Sequence, residues 1–469
     1  MVKNAILLVL CSSLFIACSA TYTQESLRSD FALDEFKNSY AQKAQQSDSL
    51  HSVFNDTNLQ NLIRLALSQN SDIFIYETRI KSAQSQVNLA LSKQIPDISA
   101  SASYRFDGDS LINTNLMASW ELDIFGKYAN LKNAQIEQLN IAKSNLKFFQ
   151  ISLISDIALA YFNLKYLHNN ILLSQERIKN YRELLAIMDT SYKNGFVSFS
   201  DFLEKKMDLQ SEEQNLNTLL NDYEAKKNEI RLLINNRDYE FKEEIPKDIY
   251  SFYESDFSVP NFSLNLESPA DIILNRPDIS AQIATLNSAV HKLNAAKAEL
   301  YPTINISGSL GKAFLQPAEF LYSILASIAM PLFSRFELYE NVKISDYTRL
   351  EAYYTLQKGV NTAFSEIENA LYALESNKST LKTSIEMLNQ NKEVLELLAH
   401  SFSLGLIDNA EYLSALNNHL AMMKSNNTSF FNTTSAIIYL YRSTGGNDDD
   451  IKINADSAES TSNKEAINE

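Results

Sequence analysis

"IPDISASASYRF", residues 95–106, alternates with the period of an extended strand. Ile98, Ala100, Ala102, Tyr104 and Phe106 fall on one face. Ser99, Ser101, Ser103 and Arg105 fall on the other. Most of the chain carries the spacing of long helices, so this short two-faced strand decides the fold. Three further stretches resemble it. In "NLMASWELDIF" (115–125), Leu116, Ala118, Trp120, Leu122 and Ile124 oppose Asn115, Ser119, Glu121 and Asp123. In "TINISGSL" (303–310), Ile304, Ile306 and Leu310 oppose Asn305, Ser307 and Ser309. The last, "SILASIAMPLF" (323–333), alternates less cleanly. Strands are expected over about 95–107, 111–125, 302–312 and 320–333.

Each is about as long as a membrane-spanning strand, roughly 9–11 residues. Apolar outside and polar inside is the pattern of a barrel wall between lipid and water. A soluble sheet with one wet face would need a helix of matching width over its apolar side. The helices of this chain are too long and already engaged with each other. Four strands cannot close alone, since bacterial spanning barrels have at least about 8. An open edge in hydrocarbon leaves N–H and C=O groups unpaired, at several kcal/mol each. Strands from several copies must therefore combine. Two copies would make an eight-stranded barrel filled by its own side chains. Three would make twelve strands around an open lumen, which suits the small Ser, Asn and Gly of the inner face.

The plan is written twice. "LSQNSDI" (67–73) returns as "LNRPDI" (274–279), and "KQIPDISASASYR" (93–105) as "ELYPTINISGSLG" (299–311). "SYKNGFVSFSDFLEKK" (191–206) returns as "SFSLGLIDNAEYLSAL" (401–416). Asp72 and Asp278 are 206 positions apart, as are Pro96 and Pro302, and Gly195 and Gly405 are 210 apart. Each half reads helix, two strands, very long helix, Gly-containing turn, second long helix. The first repeat is expected over 58–246, with long helices at about 130–193 and 200–234. The second is expected over 270–446, with helices at about 341–403 and 409–442. A linker at 247–269 joins them. Leu139, Leu146, Leu153, Ala160 and Leu167 recur at sevens, beside a second row Ile157, Leu164, Ile171, Ile178 and Leu185. Ile367, Leu374, Leu381, Leu388, Leu395 and Phe402 repeat the pattern. Heptads sustained this far mean coiled-coil packing of long helices, with neighbours on two sides.

Composition agrees. The 469 residues include only 9 Gly and 8 Pro, so loops are few and elements long. A formal net charge of −16 excludes nucleic acid as a partner. The opening "MVKNAILLVLCSSLFIACSA" has a basic start and an apolar run of signal-peptide length. "LFIAC" resembles a bacterial lipoprotein box. It implies a signal peptide at 1–17, a lipidated (palmitate-type acyl) Cys18, and an N-terminal segment over 18–57. Ser19 after it resembles the signal for the outer membrane. Cys11 and Cys18 are the two cysteines, so the mature body holds no disulfide. The acidic stretch 447–469 is poor in apolar residues and reads as a disordered tail.

"WELDIFGKYANL" (120–131), "LNRPDISAQIATLNSAVHKLNAAKAELYPTINISGSLG" (274–311) and the Gly turns at 195 and 405 together resemble outer membrane factors of the TolC/OprM type, lipoprotein branch. The resemblance covers about residues 55–446. It implies a mainly α protein with a membrane β-barrel: a homotrimer whose twelve-stranded barrel continues into a periplasmic α-helical coiled-coil tunnel. It also implies partners: outer-membrane lipid, a periplasmic adaptor, and an inner-membrane transporter, often of the resistance–nodulation–division type. The implied role is a passive duct for drugs and other small toxic compounds. The same tunnel would serve type I protein secretion or metal efflux. A reading of another class, a periplasmic adaptor lipoprotein, does not account for the doubled plan or the lipid-facing strands. A purely structural coiled-coil scaffold would not conduct.

At a helix–helix turn Gly takes positive φ without strain. Ser198 or Ser200, and Asp408 or Asn409, can then cap the following helix. The resemblance implies that these turns are the periplasmic end, where the adaptor grips Gly195, Phe196, Val197 and Ser198, and Gly405, Leu406 and Ile407. It also implies a ring of acids at the aperture: Asp408 and Glu411, with Asp201 and Glu204 in the matching places of the first half. The family's second acid after Glu411 is Ser414 here. Five scattered histidines lack metal-ligand spacing, and no nucleotide-binding or catalytic motif is present. The chain reads as a conduit without cofactor or metal, not as an enzyme.

Overall fold

The computed structural model describes residues 21–23, 26–28, 31, 50–107, 109–241, 269–313 and 319–446. The signal peptide, Cys18, most of the 18–57 segment, the linker up to residue 268 and the 447–469 tail lie outside the described residues. The first half runs α1 (Leu50–Phe54), α2 (Thr57–Gln69), α3 (Ser71–Ser92), β1 (Asp97–Asp107), β2 (Asp109–Leu122), α4 (Lys127–Lys193) and α5 (Phe199–Leu233). The second runs α6 (Pro269–Asn275), α7 (Pro277–Ala298), β3 (Thr303–Ala313), β4 (Glu319–Ala329), α8 (Arg335–Ser403) and α9 (Asn409–Ser443). With 67 and 69 residues, α4 and α8 are each about 100 Å long. Among the described residues no helix is long and apolar enough to cross a membrane.

Several element ends differ from expectation; α4, for one, starts at Lys127 instead of 130. β2 stops at Leu122 instead of reaching 125, because Asp123 turns to cap α4. Its carboxylate accepts from the backbone N–H of Tyr128 (3.1 Å) and Ala129 (2.7 Å). β4 stops at Ala329 instead of 333, just before Pro331, which has no N–H to give a ladder. α8 accordingly starts at Arg335, six residues earlier than 341.

The chain divides into two compact units. The first holds the sheet, the start of α4 and α8, α7 and most of α3. Its strands lie in the order β1-β2-β3-β4, every neighbouring pair antiparallel. α7 begins with Pro277 at its first turn, where a missing N–H costs nothing, and Arg276 holds Asp278 through two hydrogen bonds of 3.0 and 2.8 Å. Ile279, Leu286, Val290 and Leu293 then bury its inner face.

The second unit holds α1, α2, α5, α9 and the far parts of α4 and α8. Here α4 lies between α5 and α9, and α9 between α4 and α8. Ser174 meets Asn215 (3.3 Å) and Arg177 meets Glu212. Asp156 meets Arg442 (3.1 Å) and Asn170 meets Asn427 (3.0 Å). Asn391 meets His419 (2.8 Å), and Asn377 accepts from Thr433 (3.1 Å). In each series one number rises as the other falls, so all three neighbouring pairs are antiparallel. Leu153, Ala160, Leu167, Ile157, Leu164 and Ile171 are buried, as are Ile367, Leu374 and Leu381. Further along α8 the row loosens: Leu388 and Leu395 are half-buried and Phe402 is exposed.

Candidate functional site

Two regions bring the sequence-predicted residues together. The first is the sheet. Directly paired residues share a face. Ser99 pairs with Met117, Met117 with Ser309, and Ser309 with Ser323. Asp97, Ser119, Ser307 and Leu325 form the next row, then Glu121, Asn305 and Ser327. Ser101 and Ser103 oppose Asn115 and Asn113, and Arg105 takes the register place opposite Leu111. One face is thus mostly polar across all four strands, with Leu111, Met117, Leu321 and Leu325 at its remaining large apolar register positions. Ser309 and Ser323 join their hydroxyls at 2.8 Å, and the Ser101 hydroxyl reaches the Asn115 carbonyl at 3.5 Å. Ser323 and Ser327 belong to this face and escaped the sequence reading. A window carried on to Phe333 hid the alternation that runs from 322 to 328 with one break at Leu325.

The other face carries Ile98, Tyr104, Phe106, Leu116, Trp120, Ile306, Leu310, Tyr322, Ile324 and Ile328, all exposed. No helix packs over it among the described residues. The outer edges of β1 and β4 pair with no other strand among those residues. Fully burying such side chains yields about 1.5–3 kcal/mol each. An oily face of this size, broken in the row of Thr114 and Lys312, therefore requires a cover.

The second region is the pair of helix–helix turns. Gly195 and Gly405 have φ +77° and +71°, the left-handed region. Each closes a helix in the same way. Gly195 N–H donates to Tyr192 O and Phe196 N–H to Ser191 O, both at 2.9 Å. Gly405 N–H donates to Phe402 O (3.0 Å) and Leu406 N–H to Ser401 O (2.9 Å). The next helix is capped at once. Ser198 accepts from Asp201 N–H at 3.1 Å, and Asp408 from Glu411 N–H at 2.7 Å. Ser200 and Asn409, the other candidates, lie within the helices. Tyr192 stacks on Phe202, and Phe402 on Tyr412, locking each hairpin with the same pair of positions. Phe196 and Leu406 are left 84% and 73% exposed, while Val197 and Ile407 are half-buried. Asp201, Glu204, Asp408 and Glu411 are exposed. Glu204 has Lys205 beside it at 3.5 Å.

Behind the first turn, α4, α5 and α9 share a buried charge cluster that the sequence reading missed. Glu212 accepts from Lys424 (2.9 Å) and Asn215 (3.1 Å) and pairs with Arg177. Burial pushes its carboxyl up. The hydrogen bonds from Lys424 and Ser174 and the charges of Arg177 and Lys424 outweigh that and hold it below the ordinary value.

The family model described as outer membrane efflux protein matches residues 62–236 and 269–446. The chain is 24% identical over 426 residues to the solvent efflux pump outer membrane protein SrpC of Pseudomonas putida, covering 84% of this chain and 86% of that one. It is 20% identical over 399 residues to the probable outer membrane lipoprotein SilC of Salmonella typhimurium, covering 82% and 85%. Its structure resembles the crystal structure of the Campylobacter jejuni CmeC outer membrane channel, with a TM-score of 0.72, 21% identity, and coverage of 91% and 93%.

Proposed function

The chain belongs to the outer membrane efflux protein family, and on that premise we propose that three copies form the exit duct of a tripartite pump for drugs, solvents and other small toxic compounds. The bare apolar face of an open-edged sheet carries this reading. Its four strands alternate in direction. β4 of one copy therefore meets β1 of the next antiparallel, and three copies close twelve strands with no edge left in lipid. The helices follow the same logic. α5 and α8 are the outer members of the α5–α4–α9–α8 series and run in opposite directions, so α8 can pack on α5 of the next copy.

In this assembly Ser99, Ser101, Ser103, Arg105, Asn305, Ser307 and Ser309 line the barrel lumen. The hairpin tips at Gly195–Ser198 and Gly405–Ile407 receive the adaptor. Asp408 and Glu411, with Asp201 and Glu204, ring the periplasmic aperture and favour cations. Residues 1–17 are removed as a signal peptide. Cys18 is acylated, as the lipoprotein name of the Salmonella relative supports. The 18–57 segment leads into repeats at 58–246 and 270–446, joined by 247–269. The inner-membrane partner is a resistance–nodulation–division transporter, and the Pseudomonas relative's solvent efflux supports the cargo class.

The reading is tested with the purified protein and the intact cell. It expects a trimer in mild detergent that conducts in planar bilayers, and a deletion strain sensitised to solvents and drugs. A monomer that forms no pores overturns the assembly. Sensitivity confined to metal ions overturns the cargo.

A further inference from the structure

One helix of the first unit is bare over most of its surface. Within one copy α3 buries only Ile73. Tyr76, Ile80, Ala83, Val87 and Ala90 follow it at intervals of three and four and are half-buried, so this row faces the chain's own body. Opposite the row, about 180° around the helix, lie Phe74, Thr78, Ser82, Ser85 and Leu89, all exposed. That face is large at both ends and small in between.

The first part of α8 has the matching pattern. Val342, Ser345, Arg349 and Ala352 are half-buried, and Leu356 and Val360 buried, on the side toward their own chain. The opposite side carries Phe336, Lys343, Tyr347 and Tyr354, with the two tyrosines 66% and 62% exposed. The N-terminal segment covers only the position next door. Tyr353 meets Tyr22 and Phe31 with ring centroids 6.1 and 6.2 Å apart, and Tyr354 is left bare.

These two faces stand at opposite ends of one series. α3 enters β1 and α8 leaves β4, the two edge strands. Between them α4 meets α7 through Gln138 and Ser288 at 3.2 Å, and α7 meets α8 where Gln282 comes up against Gly359. Closing the barrel sets β4 of one copy beside β1 of the next, and so α8 of one copy beside α3 of the next, antiparallel. α3 ends at Ser92, just before β1, and α8 starts at Arg335, just after β4, so these helix ends lie level. Tyr347 stands 12 positions after Arg335, and 12 before Ser92 is position 80, between Thr78 and Ser82. Tyr354 stands 19 after Arg335, and 19 before Ser92 is position 73, beside Phe74.

We propose that the bare face of α3 is the socket for α8 of the neighbouring copy: Tyr347 seats over the small Thr78 and Ser82, and Tyr354 packs on Phe74. Small side chains leave the hole that a tyrosine knob fills. The two faces differ, so the contact is head-to-tail, the kind that repeats from copy to copy until it closes a ring. The proposal rests on the trimeric reading and deepens it, naming the residues of the helical seam in the first unit. Disulfide trapping tests it. In the full-length protein Tyr347→Cys is combined in turn with Thr78→Cys, with Ser82→Cys and, on the inward row, with Ala83→Cys. Phe74→Cys with Tyr354→Cys probes the same seam at a second level. Cys11 and Cys18 are the natural cysteines, so each single variant gives the background. Gel filtration in mild detergent with reductant verifies that each variant is a folded trimer. A disulfide needs Cα atoms about 4.4–6.8 Å apart, and within one copy β2 and β3 keep the two edges apart, so a bond reports a neighbour. After mild oxidation the bare-face pairs are expected to link most subunits into covalent trimers on a denaturing gel, and the Ala83→Cys pair is not. If the variants are trimers and no bare-face pair links, or the Ala83→Cys pair links as readily, the socket falls and the trimeric reading stands. If the wild-type protein is a monomer, that reading falls and the socket with it.

Discussion

At Asp56 one carboxylate serves four donors. It caps α2 by accepting from the N–H groups of Asn58 (2.9 Å) and Leu59 (3.2 Å). It also accepts from the Tyr161 hydroxyl (2.7 Å) and the Lys165 ammonium (3.2 Å) of α4. Burial pushes its carboxyl up; the charge of Lys165 and the hydrogen bonds from Tyr161, Leu59 and Lys165 outweigh that and hold it below the ordinary value. A depressed carboxyl contributes stability that is complete above its unfolded value, about 3.9, and is lost as pH falls through the folded one. Asp56→Ala is expected to cost about 2 kcal/mol, one cap plus one buried hydrogen bond. Thermal melts in detergent at pH 7 measure it, and the gap to wild type narrows below about pH 4. Glu212 is the harsher case. Its side chain is 8% exposed between two cations, so Glu212→Ala leaves both unpaired at about 3–5 kcal/mol. Glu212→Gln, which keeps the acceptor oxygen, loses less in the same melts.

At the scale of elements, the two Gly turns separate conformational strain from crowding. A Cβ built on Gly195 or Gly405 meets nothing within 4 Å, so only the positive φ resists it. Each Gly→Ala is expected to cost about 1–2 kcal/mol, and each Gly→Asn less, because Asn visits that region. Comparing the two series by chemical denaturation in detergent checks this. Equal costs for Ala and Asn would mean that something other than φ is at work. These turns were legible in sequence because only Gly makes the point so plainly. The same closure after α5 uses Asn235 at φ +51°, which no pattern announced. Strand faces were legible from alternation, down to the Ser and Asn rows. Strand ends were not, because Asp123 leaves the ladder to cap α4 while keeping the alternating parity. The Glu212 cluster was hidden for another reason. Arg177, Glu212 and Lys424 come from three helices, and no local spacing joins them.

For the whole molecule, the acids at the second tip have two physical roles that one substitution would confuse. The Asp408 side chain holds the Glu411 N–H as the cap of α9. Its charge also favours the helix N-terminus, and in a trimer it would stand three times about the channel axis. Asp408→Ala removes the cap and the charge together, so a wider or noisier pore could come from a frayed hairpin. Asp408→Ser keeps an acceptor oxygen at the cap and removes only the charge. Paired with Glu411→Gln, it is expected to raise single-channel conductance in planar bilayers and weaken cation preference, with the melting temperature nearly unchanged. The same pair in the first half, Asp201→Asn with Glu204→Gln, is expected to shift selectivity less, because Lys205 at 3.5 Å already offsets Glu204. Equal shifts from both halves would mean that the two tips contribute alike to the ring. No shift from either would remove the acids from the aperture while leaving the barrel and the helical tunnel as argued.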